Sequence, residues 1–167
     1  MKIEKALIND VPEIKLLTES CAAHMIQQEI FQWNEHYPSK EAFEKDIQRG
    51  QLYKLVADEK IIGTIVLSDI KDEEYEDIKW TGENGTHLYI HRLAVHPEHQ
   101  GKGCARTLMD FADDFGKEQG YSWMRLDTFS QNQRNQKFYL ARGFKRVGSI
   151  YFPKQSIHPF YCYDLPL

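Results

Sequence analysis

Residues 100–106 read Gln100-Gly101-Lys102-Gly103-Cys104-Ala105-Arg106 and follow the apolar run Leu88-Tyr89-Ile90-His91-Arg92-Leu93-Ala94-Val95. Glycines let a backbone come close to a ligand, and the first N–H groups of a helix have no intrahelical partner. A strand, this turn and a following helix therefore make an anion site suited to phosphate oxygens. Three phosphate-binding patterns compete for the segment. A P-loop requires Ser or Thr after its Gly-Lys, whereas Gly103 is followed by Cys104 and no hydroxyl stands where a magnesium ligand is needed. The dinucleotide fingerprint Gly-x-Gly-x-x-Gly matches at Gly101 and Gly103, then meets Arg106 where helix and strand must pack closely. The pattern Gln-x-x-Gly-x-Ala fits at Gln100, Gly103 and Ala105, and a plain strand-to-helix turn is the alternative without chemistry.

A second strand-like run, Tyr121-Ser122-Trp123-Met124-Arg125-Leu126-Asp127-Thr128, precedes Asn132-Gln133-Arg134-Asn135-Gln136-Lys137-Phe138-Tyr139-Leu140-Ala141-Arg142-Gly143-Phe144. Taken with the glycine loop, this chain resembles the GNAT superfamily of N-acetyltransferases. That family's acyl-CoA loop is Arg/Gln-x-x-Gly-x-Gly/Ala, and its later segment is Asn-x-x-Ala-x-x-Phe/Leu-Tyr-x-x-x-Gly-Phe. Asn135 stands where that segment usually has Ala.

The resemblance implies an α/β GNAT fold: a mixed central sheet of about seven strands, helices on both faces, and a splayed parallel strand pair that binds acyl-CoA. Leu93, Ala94 and Val95 would pair with the pantetheine arm, and Gln100, Gly101, Lys102, Gly103, Cys104, Ala105 and Arg106 would hold the pyrophosphate of acetyl-CoA. Tyr139 would be the general acid for the departing thiolate, and Asn132 would contact the CoA arm. Asp127 lies where some ribosomal-protein N-terminal acetyltransferases of the superfamily carry a catalytic Glu, so it is one candidate base. The function implied is transfer of an acetyl group to a primary amine by direct attack in a ternary complex, with a small-molecule acceptor preferred over a protein N-terminus or lysine. A non-catalytic acyl-CoA sensor is the rival reading.

Read from the residues alone, Tyr139 is otherwise a packed tyrosine, Asn132 a helix cap, and Asp127 a partner for Arg125. His91 is a second candidate base, because an imidazole with a pKa near 6.5 suits proton transfer at neutral pH. Strict strand alternation puts it on one face with Tyr89, Leu93 and Val95, and a histidine satisfied on a sheet face is the alternative. Residues 31–38 form an aromatic and acidic loop in which Trp33 and Tyr37 could wall an amine and Glu35 could pair with its charge. Anchoring of the loop on the sheet explains the same residues. The acidic run at residues 69–79 reads as a solvated loop that could steer a cation.

The elements that must position these groups follow from periodicity and caps. Residues 3–8 read as a strand. Asn9, Asp10, Pro12 and Glu13 open a helix carried on by Leu17, Cys21 and Met25. Ser39 caps a second helix ending near Gly50. Residues 52–57 and 61–67 form a hairpin around Asp58-Glu59-Lys60, the helix after the glycine loop stops at Gly120, and residues 146–152 and 160–165 are final strands.

At 167 residues without linkers or repeats, one domain over residues 1–167 is expected. Three scattered cysteines, Cys21, Cys104 and Cys162, suggest neither disulfides nor a metal site, and a reducing cytoplasm is expected. Cys104 lies inside the loop under the expected phosphates, which disfavours an acetyl-cysteine relay. The net charge of −4 argues against nucleic acid as a partner, and no apolar run suggests a membrane. A homodimer pairing residues 160–163 across a two-fold axis is a further expectation, against burial of those aromatics within one chain.

Overall fold

The computed structural model describes residues 1–167, and its elements follow the expected order apart from three added 3-10 turns. Strand β1 (Lys2–Lys5) is shorter than the apolar pattern suggests. Ile8 opens a 3-10 turn, Ile8–Asp10, closed by Leu7 N–H donating to Asp10 Oδ2 at 2.7 Å. Helix α1 (Val11–Gln27) has Pro12 in its first turn, where a missing N–H costs nothing, and buries Val11, Ile14, Leu17, Thr18, Cys21 and Ala22 along one stripe. Helix α2 (Lys40–Gln48) starts as its cap predicts, with Ser39 Oγ accepting from Ala42 N–H at 3.1 Å.

Strands β2 (Leu52–Ala57) and β3 (Lys60–Ser68) form the hairpin. Its turn is two residues, Asp58 and Glu59 at φ +50° and +62°, and Lys60 pairs with Ala57 in the ladder. Two left-handed residues give the turn a twist that matches the strands. Then come β4 (His87–Val95), α3 (Cys104–Glu118), β5 (Trp123–Phe129), α4 (Gln133–Ala141), β6 (Lys145–Ile150) and β7 (Phe160–Pro166).

The seven strands lie in the order β1-β2-β3-β4-β5-β7-β6. The sheet is mixed, with β4 parallel to β5 and antiparallel pairing of β1 with β2, β2 with β3, β5 with β7, and β6 with β7. Because β7 is paired on both sides, the expected dimer through residues 160–163 is corrected: the strand has no edge left to offer. Phe160 and Tyr163 are buried within the chain instead.

The chain divides into two compact units, Met1–Leu67 with His91–Ala112, and Ser68–Ile90 with Asp113–Leu167. The first is organised on a core in which Ile14, Leu17, Phe43, Leu52, Val66 and Ala94 are buried. In the second, Tyr139 packs on Phe144 and Tyr163, and Phe129 on Phe160 at 5.1 Å between ring centroids. Each fully buried apolar side chain contributes about 1.5–3 kcal/mol relative to exposure. No helix is long and apolar enough to cross a membrane.

Candidate functional site

In the first unit, a 3-10 turn, Pro97–His99, carries the chain from β4 to the glycine loop. Gln100 Nε2 donates to the Val95 carbonyl at 3.0 Å, folding the start of the loop back onto the end of β4. Gly101 and Gly103 have φ of +75° and +85°, a region that favours glycine, and nothing lies within 4 Å of where a Cβ would stand. The loop thus presents bare backbone to open space. Thr107 N–H donates to the Gly103 carbonyl at 3.0 Å, so the amides of Cys104, Ala105 and Arg106 are first-turn groups without intrahelical acceptors. Lys102 and Arg106 are exposed around them, Ala105 is half-buried, and Cys104 is buried.

The end of β4 departs from regular strand geometry. Arg92 has φ +49°, a left-handed residue inside a strand, and such a residue resets side-chain alternation as a bulge does. The single face expected to hold Tyr89, His91, Leu93 and Val95 is therefore corrected at Arg92. Its guanidinium forks onto Asp46 of α2, with bonds of 2.8 and 2.7 Å, and also hydrogen-bonds Tyr37. Leu93 is half-buried, while Ala94 and Val95 are buried. Burial, with Arg92 adding to it, pushes the half-buried His91 imidazole down to about 3. The near-neutral pKa that made it a candidate base is absent. The Cys21 thiol, donating to the Val95 carbonyl at 3.2 Å, is pushed up to about 12 by burial.

The aromatic loop is firmly built. Lys15 Nζ donates to the carbonyls of Glu35 and Pro38, both at 2.8 Å, and Asn34 Oδ1 accepts from the N–H groups of His36 and Tyr37. Trp33 lies in the core of this unit with Tyr37 packed against it, which is the anchoring role weighed from sequence. Glu35 is exposed beside His36.

In the second unit, Asn132 caps α4 by accepting from Asn135 N–H at 3.1 Å, and Asn135 Nδ2 reaches Thr128 Oγ1 at 3.2 Å. The unusual Asn135 thus ties α4 to β5. Tyr139, on α4, is buried, and burial together with the charge of Asp127 raises its phenol above the ordinary tyrosine range. Asp127, half-buried on β5, accepts a hydrogen bond from the Tyr75 hydroxyl. Arg125, weighed as its partner, instead donates to the Gly82 carbonyl at 2.5 Å and to Tyr89 Oη at 3.2 Å and lies over the Trp80 ring.

Tyr75 is the residue that sequence reasoning missed. It sits in the acidic run read as a solvated loop, yet it is fully buried. The available signal was a lone aromatic side chain among charged neighbours, in Asp72-Glu73-Glu74-Tyr75-Glu76-Asp77.

Comparison with known proteins bears on this arrangement. Human N-acetyltransferase 8B is 29% identical over 96 residues, which cover 58% of this chain but only 39% of that protein. The chain thus spans about two fifths of the length of that relative. A solved structure from Staphylococcus aureus Mu50, assigned to the acetyltransferases, is 30% identical over 99% of both chains with a TM-score of 0.77. The PaiA N-acetyltransferase of Thermoplasma acidophilum, solved with coenzyme A, shares the fold at a TM-score of 0.73 and 22% identity, over 99% of this chain and 98% of its own. The model of the acetyltransferase (GNAT) family matches residues 19–144, a span that holds β4, the open glycine loop, Asp127 and Tyr139. By that match the chain belongs to the GNAT family of acetyltransferases.

Proposed function

We propose that residues 1–167 act as one N-acetyltransferase domain that moves the acetyl group of acetyl-CoA to a primary amine of a small molecule, by direct attack in a ternary complex. The observation that carries the reading is the pair of left-handed glycines facing open space at the start of α3. Together with first-turn amides, such a loop suits a pyrophosphate. Leu93, Ala94 and Val95 take the pantetheine arm, and Gln100, held on Val95, shapes the loop's entry.

Asp127 and Tyr139 are the proton-handling groups. Asp127 takes a proton from the acceptor ammonium, freeing the nitrogen lone pair. The C–N bond then forms, the C–S bond breaks, and the thiolate takes the Tyr139 proton. The nitrogen's second proton restores the phenol, and the proton on Asp127 leaves to solvent, so one proton is released per turnover. Backbone amides of β4 are the donors for the developing oxyanion. His91, neutral throughout the physiological range, is not the base. Glu35 and Tyr37 line the acceptor's approach, with Trp33 behind them. Burial of all three unpaired cysteines supports a mechanism without a thiol relay and suits a reducing cytoplasm.

The test is thiol release from acetyl-CoA over a panel of polyamines, amino acids, aminoglycosides and short peptides, with CoA binding measured in parallel. Release that depends on a small amine is the expected outcome. Release on peptides alone overturns the acceptor class, and absence of CoA binding overturns the whole reading.

A further inference from the structure

We propose that Tyr75 is a positioning residue for acetyl transfer, its buried hydroxyl fixing the Asp127 carboxylate by a hydrogen bond to Oδ2. The inference rests on the reading of Asp127 as the base. Tyr75 lies in a 3-10 turn, Glu73–Tyr75, whose other residues are exposed glutamates, and it alone of that turn points inward. Its ring packs on Trp80 and Tyr89 at 5.1 and 5.8 Å between centroids, its N–H donates to the Asp72 carbonyl, and its carbonyl accepts from Trp80 Nε1. The phenol is thus held at both its ring and its backbone. Asp127 is held too, on β5 opposite Cys162 of β7. A buried phenol requires a partner, and a carboxylate is the strongest acceptor it can find.

The geometry goes beyond anchoring a loop. One oxygen of the carboxylate is bound by a buried, ring-packed donor, which restricts the orientation of the group before an amine arrives. Such preorganisation matters because a proton acceptor must meet its donor within hydrogen-bond reach. The titratable groups facing Asp127 in this unit are Tyr75, Tyr139 of α4, Cys162 of β7 and Asp72, whose carboxylate comes within 4.8 Å of that of Asp127. Both phenols and the thiol are raised above their ordinary ranges by burial and the carboxylate charge. They stay neutral wherever a carboxylate titrates, which leaves Asp72 as the other anion.

The experiment compares Tyr75→Phe, Asp127→Asn and the double variant in CoA affinity, melting temperature, kcat, KM for the amine, and the pH profile of kcat/KM. Tyr75→Phe keeps the ring and removes the donor. Its CoA affinity is expected to stay unchanged while kcat falls on the order of 10-fold, the scale of one hydrogen bond to a charged group. The acid limb moves to higher pH, since the lost bond favoured the charged carboxylate. The double variant should be no slower than Asp127→Asn alone, because both changes act on one group.

A Tyr75→Phe protein with wild-type kcat and acid limb overturns the proposal while leaving the base reading intact. Asp127→Asn at the wild-type rate overturns the base reading itself. Should Tyr75→Phe fail to fold, 3-fluorotyrosine at position 75 keeps the packing and strengthens the donor. An acid limb shifted to lower pH is then expected, and an unmoved limb refutes the proposal. Asp72→Asn serves as the control for charge alone, moving the limb to lower pH with Tyr75 intact.

Discussion

A phenol and a carboxylate that share apolar surroundings set each other's proton affinity, and Tyr139 with Asp127 is such a pair. Burial removes the water that would stabilise a phenolate, and the nearby negative charge opposes it further, so Tyr139 holds its proton at any physiological pH. That is the state a general acid must be in before turnover. Tyr139→Phe keeps the ring contacts with Phe144 and Tyr163 and removes only the proton. General acid catalysis contributes about 10²–10⁴-fold, so turnover is expected to fall by about 100-fold or more, with CoA affinity close to wild type. Steady-state rates with a calorimetric CoA titration check this, and an unchanged kcat refutes the acid role. Tyr163, whose phenol is also raised by burial, is the control: Tyr163→Phe keeps the buried ring and leaves kcat close to wild type if only Tyr139 supplies the proton.

The glycine loop is a device of the strand–turn–helix element and fails as one. Gly103→Ala meets nothing within 4 Å but must adopt φ +85°, at a cost of about 1–2 kcal/mol to an L residue. Gly103→Asp adds a negative charge at the loop proposed to hold the pyrophosphate. CoA affinity is expected to drop modestly for Ala and at least about 10-fold more for Asp, the direction given by charge at a helix N-terminus. Equal affinities for the two variants would remove the pyrophosphate assignment. This element was legible in the sequence, as were the Ser39 cap and the hairpin turn, read one residue too long as Asp58-Glu59-Lys60, because glycines, caps and turns act over three or four residues. The bulge at Arg92 was not, since period-two reasoning gives an arginine no reason to take positive φ. What holds it there is Asp46, distant in the chain and buried on α2. Tyr75 escaped for a similar reason: a run averaged as acidic hides the one side chain that turns inward. Of the candidate site, the strand–turn–helix geometry was readable. The side-chain partners were not, because they come from elements far apart in sequence. Arg92→Gly, which accepts the conformation but drops the ion pair, separates the two effects. Loss of a buried pair by removing one partner costs about 3–5 kcal/mol, so its urea midpoint should fall well below wild type. A midpoint at the wild-type value would mean that Asp46 is not held by Arg92.

At the scale of the whole molecule, two half-buried histidines, one in each unit, link folding to acid. His91 in the first unit is pushed down to about 3 by burial and by Arg92. His87 in the second is lowered by burial and by Arg125, with its Nε2 2.9 Å from the Gly82 carbonyl. Both shifts have the same sign. Above pH 6.5 each imidazole is neutral, folded or unfolded, and neither affects stability. As pH falls below 6.5, the unfolded chain binds protons that the folded chain refuses, so stability declines from there toward about pH 3. One pH unit within that window costs about 1.4 kcal/mol for a histidine so displaced. Urea midpoints at pH 7.5 and 5.5 should therefore differ by an amount equivalent to about 1–3 kcal/mol in the wild type. His91→Gln retains a polar side chain that takes no proton, and its stability should fall less over the same interval. A wild-type loss in that variant would show that His91 is protonated in the folded state. The imidazole would then be available as a base, and the assignment of that role to Asp127 would lose the argument from charge.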